Sequence, residues 1–293
     1  MTNQHKRVRP PKQKITISLS PDIIKYVEAT VDGIYIRSRS DAIEKFLREY
    51  FSRRKKVVIL AGGEPERIYL KDLEVYTPLV RLNGVTLIED TLHKCARAGF
   101  DDVIIIGFRD INTQLFNVLG NGEALGVKIK YVEEKKPLGV AKTLETAREF
   151  LKTDFLIIPG DCFLNFDLTK LHEFHLMHGG IATLAIYSRT DFDYILQPEQ
   201  ERGIVELSGA NIVLYEEKPK RAKTHLLSTL IGFFSPEIFN YVPEGDILCS
   251  LQEEIFPHLA EERRLYGFIF VGDWVNIHQK EDLELVKRLS QTS

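Results

Sequence analysis

Residues 14 to 19 alternate strictly, with Ile15, Ile17 and Leu19 on one face of an extended chain and Lys14, Thr16 and Ser18 on the other. The alternation predicts a strand. Behind it, Ser20-Pro21-Asp22 supplies an N-cap, a proline at the first helical position and an acid in the first turn, so a helix starts there. Its buried face would be Ile23, Ile24, Val27 and Val31. Asp32-Gly33 breaks it, and Ser38-Arg39-Ser40-Asp41 opens a second helix with Ala42, Ile43, Phe46, Leu47, Tyr50 and Phe51 at helical spacing. One strand and two short helices cannot bury an apolar face alone, which implies a partner chain, at least a homodimer.

From Lys56 onward apolar runs alternate with amphipathic ones. Strands are predicted at Val57 to Leu60, Val103 to Ile106, Val127 to Val132, Phe155 to Pro159, Ala182 to Tyr187, Ile212 to Tyr215, Leu230 to Phe234 and Leu265 to Phe270. Helices are predicted at Leu87 to Ala98, Ile111 to Leu119, Val140 to Leu151, Leu168 to Met177, Leu251 to Ala260 and Glu281 to Leu289. The alternation reads as an α/β domain on a mixed, mostly parallel sheet. The boundaries that follow are a basic arm over 1–11, a small module over 12–55 and a large domain over 56–293.

Charge sharpens the division. Residues 1 to 56 hold 14 Lys and Arg against 6 Asp and Glu, while the remainder holds 25 against 36. A basic end on an acidic body points to nucleic-acid contact through that end, by phosphate neutralisation; a solvated basic tail would have the same composition. No run reaches the roughly 20 apolar residues of a membrane span, and the charged N-terminus lacks the apolar core of a secretory signal. A cytoplasmic protein is expected. Cys95, Cys162 and Cys249 are odd in number and scattered, which fits reduced thiols better than disulfides or a zinc site.

Through Lys14-Ile-Thr-Ile-Ser-Leu-Ser-Pro21 and Arg37-Ser-Arg-Ser-Asp-Ala-Ile43 the first part resembles the ribbon-helix-helix family of DNA-binding proteins. The resemblance implies two chains pairing their strands into a ribbon that enters the major groove of double-stranded DNA. It places Lys14, Thr16 and Ser18 against base edges, Arg7, Arg9, Lys12, Arg37 and Arg39 near phosphates, and the amides of Ser38, Arg39 and Ser40 around a phosphate. The same ribbon would also serve dimerisation without DNA.

In the large part, Val57-Val-Ile-Leu-Ala-Gly-Gly63 with Arg67, then Pro78-Leu-Val-Arg-Leu-Asn-Gly84, Pro159-Gly-Asp161, Glu217-Lys218-Pro219 and Trp274 follow in order. That set resembles the sugar-1-phosphate nucleotidyltransferase family, which implies a GT-A-like Rossmann domain that transfers a nucleotide from a triphosphate to a sugar phosphate and releases pyrophosphate. On this resemblance Gly62, Gly63 and Arg67 contact the nucleotide, Gly139 the base and sugar, and Glu217 and Lys218 the sugar and its phosphate. Magnesium would be held by Asp161 and by Asn276, which stands where the family has a second aspartate. An exposed Glu-Lys pair before a turn proline explains Glu217-Lys218 equally well.

Departures from the family pattern oppose triphosphate binding. Pro65 and Glu66 replace a loop glycine and threonine, Thr77 replaces a lysine, Lys142 replaces a small residue and crowds the sugar segment, and His278 replaces a glycine. Taken together, the motifs predict a sequence-specific DNA-binding regulator whose nucleotidyltransferase-like domain is inactive, with no catalytic residue, and serves ligand sensing or assembly in a nucleoid-associated oligomer. The alternative is an active sugar-1-phosphate nucleotidyltransferase dimerised by its N-terminal module.

Overall fold

The computed structural model describes residues 15–33, 36–53, 55–63, 68–188, 202–221 and 223–290. The chain divides into two compact units, residues 1–52 and 53–293.

In the smaller unit, helices α1 (Pro21–Ala29) and α2 (Arg39–Arg53) form where the caps predict them. The Thr30 hydroxyl closes α1 by donating to the Val27 carbonyl at 2.7 Å, and the Ser38 hydroxyl accepts the Asp41 amide at 3.1 Å at the start of α2. Residues 15–20 belong to no helix or ladder, so the predicted strand is not formed among the described residues. An alternating segment becomes a strand only through a hydrogen-bonded neighbour, which its own pattern does not provide. Among the residues of the predicted apolar faces whose side chains are described, only Val27 and Ala42 are buried, while Ile23, Phe46 and Leu47 are exposed, as are Ile15, Ile17 and Leu19.

The larger unit begins with β1 (Lys55–Leu60) and the two-residue strands β2 (Tyr69–Leu70), β3 (Val75–Tyr76), β4 (Arg81–Leu82) and β5 (Val85–Thr86). Then come α3 (Leu87–Arg97), β6 (Phe100–Gly107), α4 (Arg109–Leu119), β7 (Lys128–Glu133), α5 (Val140–Glu145), β8 (Phe155–Pro159), β9 (Cys162–Asn165) and α6 (Leu168–His178). The chain continues through β10 (Ala182–Ser188), β11 (Gly203–Ser208), β12 (Asn211–Glu217), β13 (Leu226–Phe234), α7 (Phe256–Glu261), β14 (Leu265–Ile269), β15 (Asp273–Asn276) and α8 (Lys280–Leu289).

Nine strands form one sheet in the order β10-β14-β12-β11-β13-β8-β1-β6-β7. β1 shows why the run Lys55-Lys-Val-Val-Ile-Leu60 is apolar without interruption. Val57 and Ile59 face a core with Ile88 and Leu92 of α3, Ile111 and Leu115 of α4 and Leu168 and Leu171 of α6, whereas Val58 faces a second core with Ala141 and Leu144 of α5 and Phe256 of α7. A strand covered on both faces has no polar side to present. Each such side chain contributes about 1.5–3 kcal/mol of transfer free energy.

Three features depart from the sequence expectation. The sheet is parallel through β8-β1-β6-β7 and between β10 and β14, but β13 runs antiparallel to β8, β10 and β11, and β12 to β11 and β14, so it is not mostly parallel. The helix expected over 140–151 stops at Glu145, where the hydroxyls of Thr143 and Thr146 bond to the carbonyls of Gly139 and Thr143 at 3.2 and 2.6 Å and compete with the helix ladder. The helix over 251–260 opens as a wide π turn at Leu251–Ile255 ahead of Pro257, which has no amide to donate. The predicted reduced thiols are free and buried.

Candidate active site

Strand order places the site. From β1 the chain steps to β6 and β7 on one side and returns to β8 on the other, so the order reverses between β1 and β8. Crevices that hold ligands in open α/β sheets lie at such a reversal, beyond the carboxyl ends of the strands. Leu60 pairs with Pro159 there, and the Gly160 amide donates to the Leu60 carbonyl at 2.8 Å. Gly62 and Asp161 each follow two residues later, which brings two of the residues expected from sequence to one crevice.

Behind the Gly62-Gly63 turn stands Glu134, 1% exposed, one residue past the end of β7. Its Oε2 accepts the Gly63 amide at 2.9 Å, and its Oε1 accepts the Thr143 hydroxyl. The Glu134 amide in turn donates to the Gly107 carbonyl at 2.9 Å. A Cβ on Gly62 would overlap Glu134 Oε2 and stand 3.1 Å from its Cδ, so the first glycine is fixed by a close approach and Gly63, at φ 104°, by its backbone conformation. Sequence reasoning passed over Glu134. The signal was an acid placed directly after a strand that neighbours the glycine turn.

Asp161 and Asn276 meet through a two-stranded ribbon. β15 pairs with β9 in the register Asn276 to Cys162, and the Ile277 amide donates to the Asp161 carbonyl at 2.8 Å. Burial raises the Asp161 carboxyl above its usual range, and attraction to His278 lowers it in part. Asn276 Oδ1 is buried with no hydrogen-bond partner, an acceptor that a cation would satisfy. A carboxylate beside an orphaned amide oxygen is a donor set that fits a divalent metal. No group of three His, Cys, Asp or Glu is arranged around a metal position among the described residues. Asp273 pairs with Asn165 at the far end of β15 and does not replace the missing aspartate.

On the sugar side, Glu217 closes β12 and accepts the Tyr215 hydroxyl at 2.9 Å, which together with burial pushes that phenol far above its usual range. Lys218 sits at φ 48° with its amide on the Arg202 carbonyl at 3.2 Å, and the buried Arg202 guanidinium lies 4.6 Å from the Trp274 ring centre. Gly139, at φ 88°, passes so close to the Cys249 carbonyl that a Cβ would overlap its oxygen. Lys142 does not crowd the sugar segment as expected: its Nζ turns to Glu145 Oε2 at 2.8 Å and to the Pro243 carbonyl.

Arg67, Pro65 and Glu66 lie outside the described residues. Thr77, the expected lysine position, is fully buried and its hydroxyl donates to the Ile68 carbonyl at 3.2 Å. A cleft of about 240 Å³ is lined by Tyr69, Lys71, Asp72, His278 and Lys280 among others.

The residues assigned to DNA fare differently. Arg7, Arg9, Lys12 and Lys14 lie outside the described residues, Thr16 and Ser18 stand on the exposed unpaired segment, and Arg39 is ion-paired with Glu28. The Ser38 carbonyl accepts the Ala42 amide at 3.0 Å inside the first turn of α2.

The nucleotidyl transferase family model matches residues 56–291. The chain belongs to that family. It is 28% identical over 233 residues to a mannose-1-phosphate guanyltransferase of Saccharomyces cerevisiae and 27% identical over 232 residues to the mannose-1-phosphate guanylyltransferase catalytic subunit beta of Danio rerio. Each alignment covers 78% of this chain, which spans 62% of the length of those relatives. In fold it matches a Bacillus anthracis protein described as a glucose-1-phosphate thymidylyltransferase, with a TM-score of 0.72, 21% identity and coverage of 82% of this chain and 96% of that one. These findings overturn the regulator reading. The family and the named relatives are nucleotidyltransferases, and they lend no support to DNA binding, a ribbon-helix-helix module, transcription regulation or a DNA partner. No helix among the described residues is long and apolar enough to cross a membrane.

Proposed function

We propose that this chain is a sugar-1-phosphate nucleotidyltransferase that joins a nucleoside triphosphate to a sugar 1-phosphate and releases pyrophosphate. The observation that carries the reading is the strand reversal at β1 and β8, which sets a glycine turn and an acid with an orphaned amide oxygen at one crevice of a family member. In the reaction a sugar-phosphate oxygen forms a bond to the α-phosphorus, the bond from that phosphorus to the β-phosphate bridge breaks, and pyrophosphate leaves. Little covalent chemistry falls to the protein, so its residues position the phosphates and offset their charge.

Gly62 and Gly63 let backbone approach the nucleotide, with Arg67 four positions further along the sequence, and Gly139 keeps the facing segment close. Glu217 orients the sugar, and Lys218 binds its phosphate. Asp161 and Asn276 would hold a divalent metal, magnesium in the family resemblance, which when bound neutralises phosphate charge. Guanosine triphosphate with mannose 1-phosphate is the first substrate pair to try, given the relatives' names.

The test is pyrophosphate release by purified protein with that pair, and with thymidine triphosphate and glucose 1-phosphate, in the presence of a divalent cation. Release matched by nucleotide-sugar formation, and lost in Asp161→Ala, is expected. Absence of release with every triphosphate, sugar phosphate and cation combination overturns the reading.

A further inference from the structure

Strands β11 and β12 pair with Gly203 opposite Glu217 and Val205 opposite Tyr215. Alternation puts Tyr215 and Glu217, two positions apart, on one face of β12, where Tyr215 joins an apolar cluster with Val205 and Phe256. Its ring meets Phe256 edge-on at a centroid separation of 5.2 Å and is 5% exposed, so the core holds it in place. The hydroxyl at the tip of that ring donates to Glu217 Oε2 at 2.9 Å. Burial first, and the Glu217 charge second, raise the phenol far above its usual range, so it keeps its proton and stays a donor. Position 203 makes room for the pair: a Cβ there would overlap the Tyr215 hydroxyl and stand 2.7 Å from Glu217 Oε2. Glu217 itself is half-buried, at the edge between core and solvent.

We propose that Tyr215 is a positioning residue for the sugar substrate, holding the Glu217 carboxylate through Oε2 in the orientation in which it accepts a sugar hydroxyl. The inference rests on the transferase reading, in which Glu217 orients the sugar. A glutamate side chain has several rotatable bonds, and ordering them when substrate arrives subtracts from affinity. A rigid phenol anchored in the core does that ordering beforehand, and the missing side chain of Gly203 lets donor and acceptor meet. Tyr215 does not touch substrate, and its effect on the sugar passes through one oxygen of Glu217. The effect is therefore confined to the sugar phosphate and does not extend to the triphosphate.

The experiment is steady-state kinetics on full-length wild type, Tyr215→Phe, Glu217→Ala and the double variant, with guanosine triphosphate and mannose 1-phosphate or with thymidine triphosphate and glucose 1-phosphate, whichever pair the wild type turns over. Tyr215→Phe keeps the ring against Phe256 and should raise the KM for sugar 1-phosphate by about fivefold or more, with kcat and the KM for triphosphate within about twofold of wild type. In the Glu217→Ala background the same exchange should change the KM by less than about twofold, because the group through which Tyr215 acts is gone. Where turnover in that background is too slow to read, the calorimetric Kd for the sugar 1-phosphate replaces KM. A hydroxyl with a merely structural role would lower stability in urea without this dependence on Glu217. An unchanged KM in Tyr215→Phe, an equal rise in KM for both substrates, or a rise that persists in the Glu217→Ala background would each overturn the inference. Absence of turnover by the wild type with every pair refutes the transferase reading and this inference with it, whereas wild-type turnover that Tyr215→Phe leaves unaltered refutes this inference alone.

Discussion

Gly62→Ala puts the description of the glycine turn at risk. The added methyl overlaps Oε2 of Glu134 and comes within 3.1 Å of its Cδ, and the carboxylate is walled in, since Glu134 is 1% exposed. Relief requires the carboxylate to swing away from the Gly63 amide, now 2.9 Å from Oε2, and to draw Oε1 from the Thr143 hydroxyl. Hydrogen bonds to a charged group contribute about 1.5–3 kcal/mol each, so the loss of two, partly recovered by relaxation, comes to about 3 kcal/mol. For a unit of this size that is a fall in Tm of roughly 6–12 °C. Urea unfolding of the wild type, Gly62→Ala, Glu134→Ala and the double variant forms a cycle. Removing the carboxylate also removes the clash, so the double variant should be more stable than the sum of the singles predicts, by about 3 kcal/mol. Additive singles, or a Gly62→Ala variant within about 1 kcal/mol of wild type, would refute the reasoning.

Three further outcomes follow from side chains with defined partners. His172 lies between Phe100 and Phe233, at ring separations of 6.0 and 4.9 Å, and burial first, with Lys55 second, lowers its pKa from 6.5 to about 4. The unfolded chain then takes up the proton before the native one, so this contribution is intact above about pH 6.5 and is lost as pH falls towards 4; His172→Gln should lose less stability than wild type over that interval, and an equal loss would sink the assignment. Lys142→Met removes the bonds to Glu145 and the Pro243 carbonyl and should cost about 2 kcal/mol in urea unfolding, while the KM for sugar phosphate stays put; a raised KM at unchanged stability would return Lys142 to the sugar segment. Lys218→Met should raise the KM for sugar phosphate by at least about tenfold, read in steady-state kinetics, and an unchanged KM would remove Lys218 from the phosphate.

What the sequence revealed and what it hid divide along range of interaction. The strand Phe155–Pro159 forms with the bounds its apolar run predicts, because burial on both faces leaves a local signature. The α/β class was legible for the same reason. β9 and β15 were not, since each has four residues and exists only through the other, with Asn276 opposite Cys162 across more than a hundred positions of chain. β11, Gly203–Ser208, was also missed, and with it the antiparallel half of the sheet, because apolar alternation does not state strand direction. Among site residues, Gly62 and Asp161 were legible as strand-end residues. Glu134 was hidden because its role depends on the step from β7 back over the β1 turn. Lys142 was misassigned because a sequence position near the sugar segment says nothing about which way a long side chain turns.

Among the substitutions that argued for an inactive domain, the exchange at Thr77 loses much of its weight once it is placed. An exchange of lysine for Thr77 would matter most if that side chain faced the phosphates, but Thr77 is fully buried and bonded to the Ile68 carbonyl. A buried lysine there would need a partner, whereas threonine satisfies its hydroxyl locally. Lys71 and Lys280 line a cleft with His278, against Asp72 alone among acids. A wall with two ammonium groups, an imidazole and one carboxylate still attracts phosphate oxygens, and attraction over the width of such a cleft is only partly screened at physiological salt. These ammonium groups come from the start of α8 and from the turn after β2. Sequence comparison by motif counts the first loss and is blind to the second gain, because Lys71 and Lys280 are distant in the chain and meet only in the folded unit.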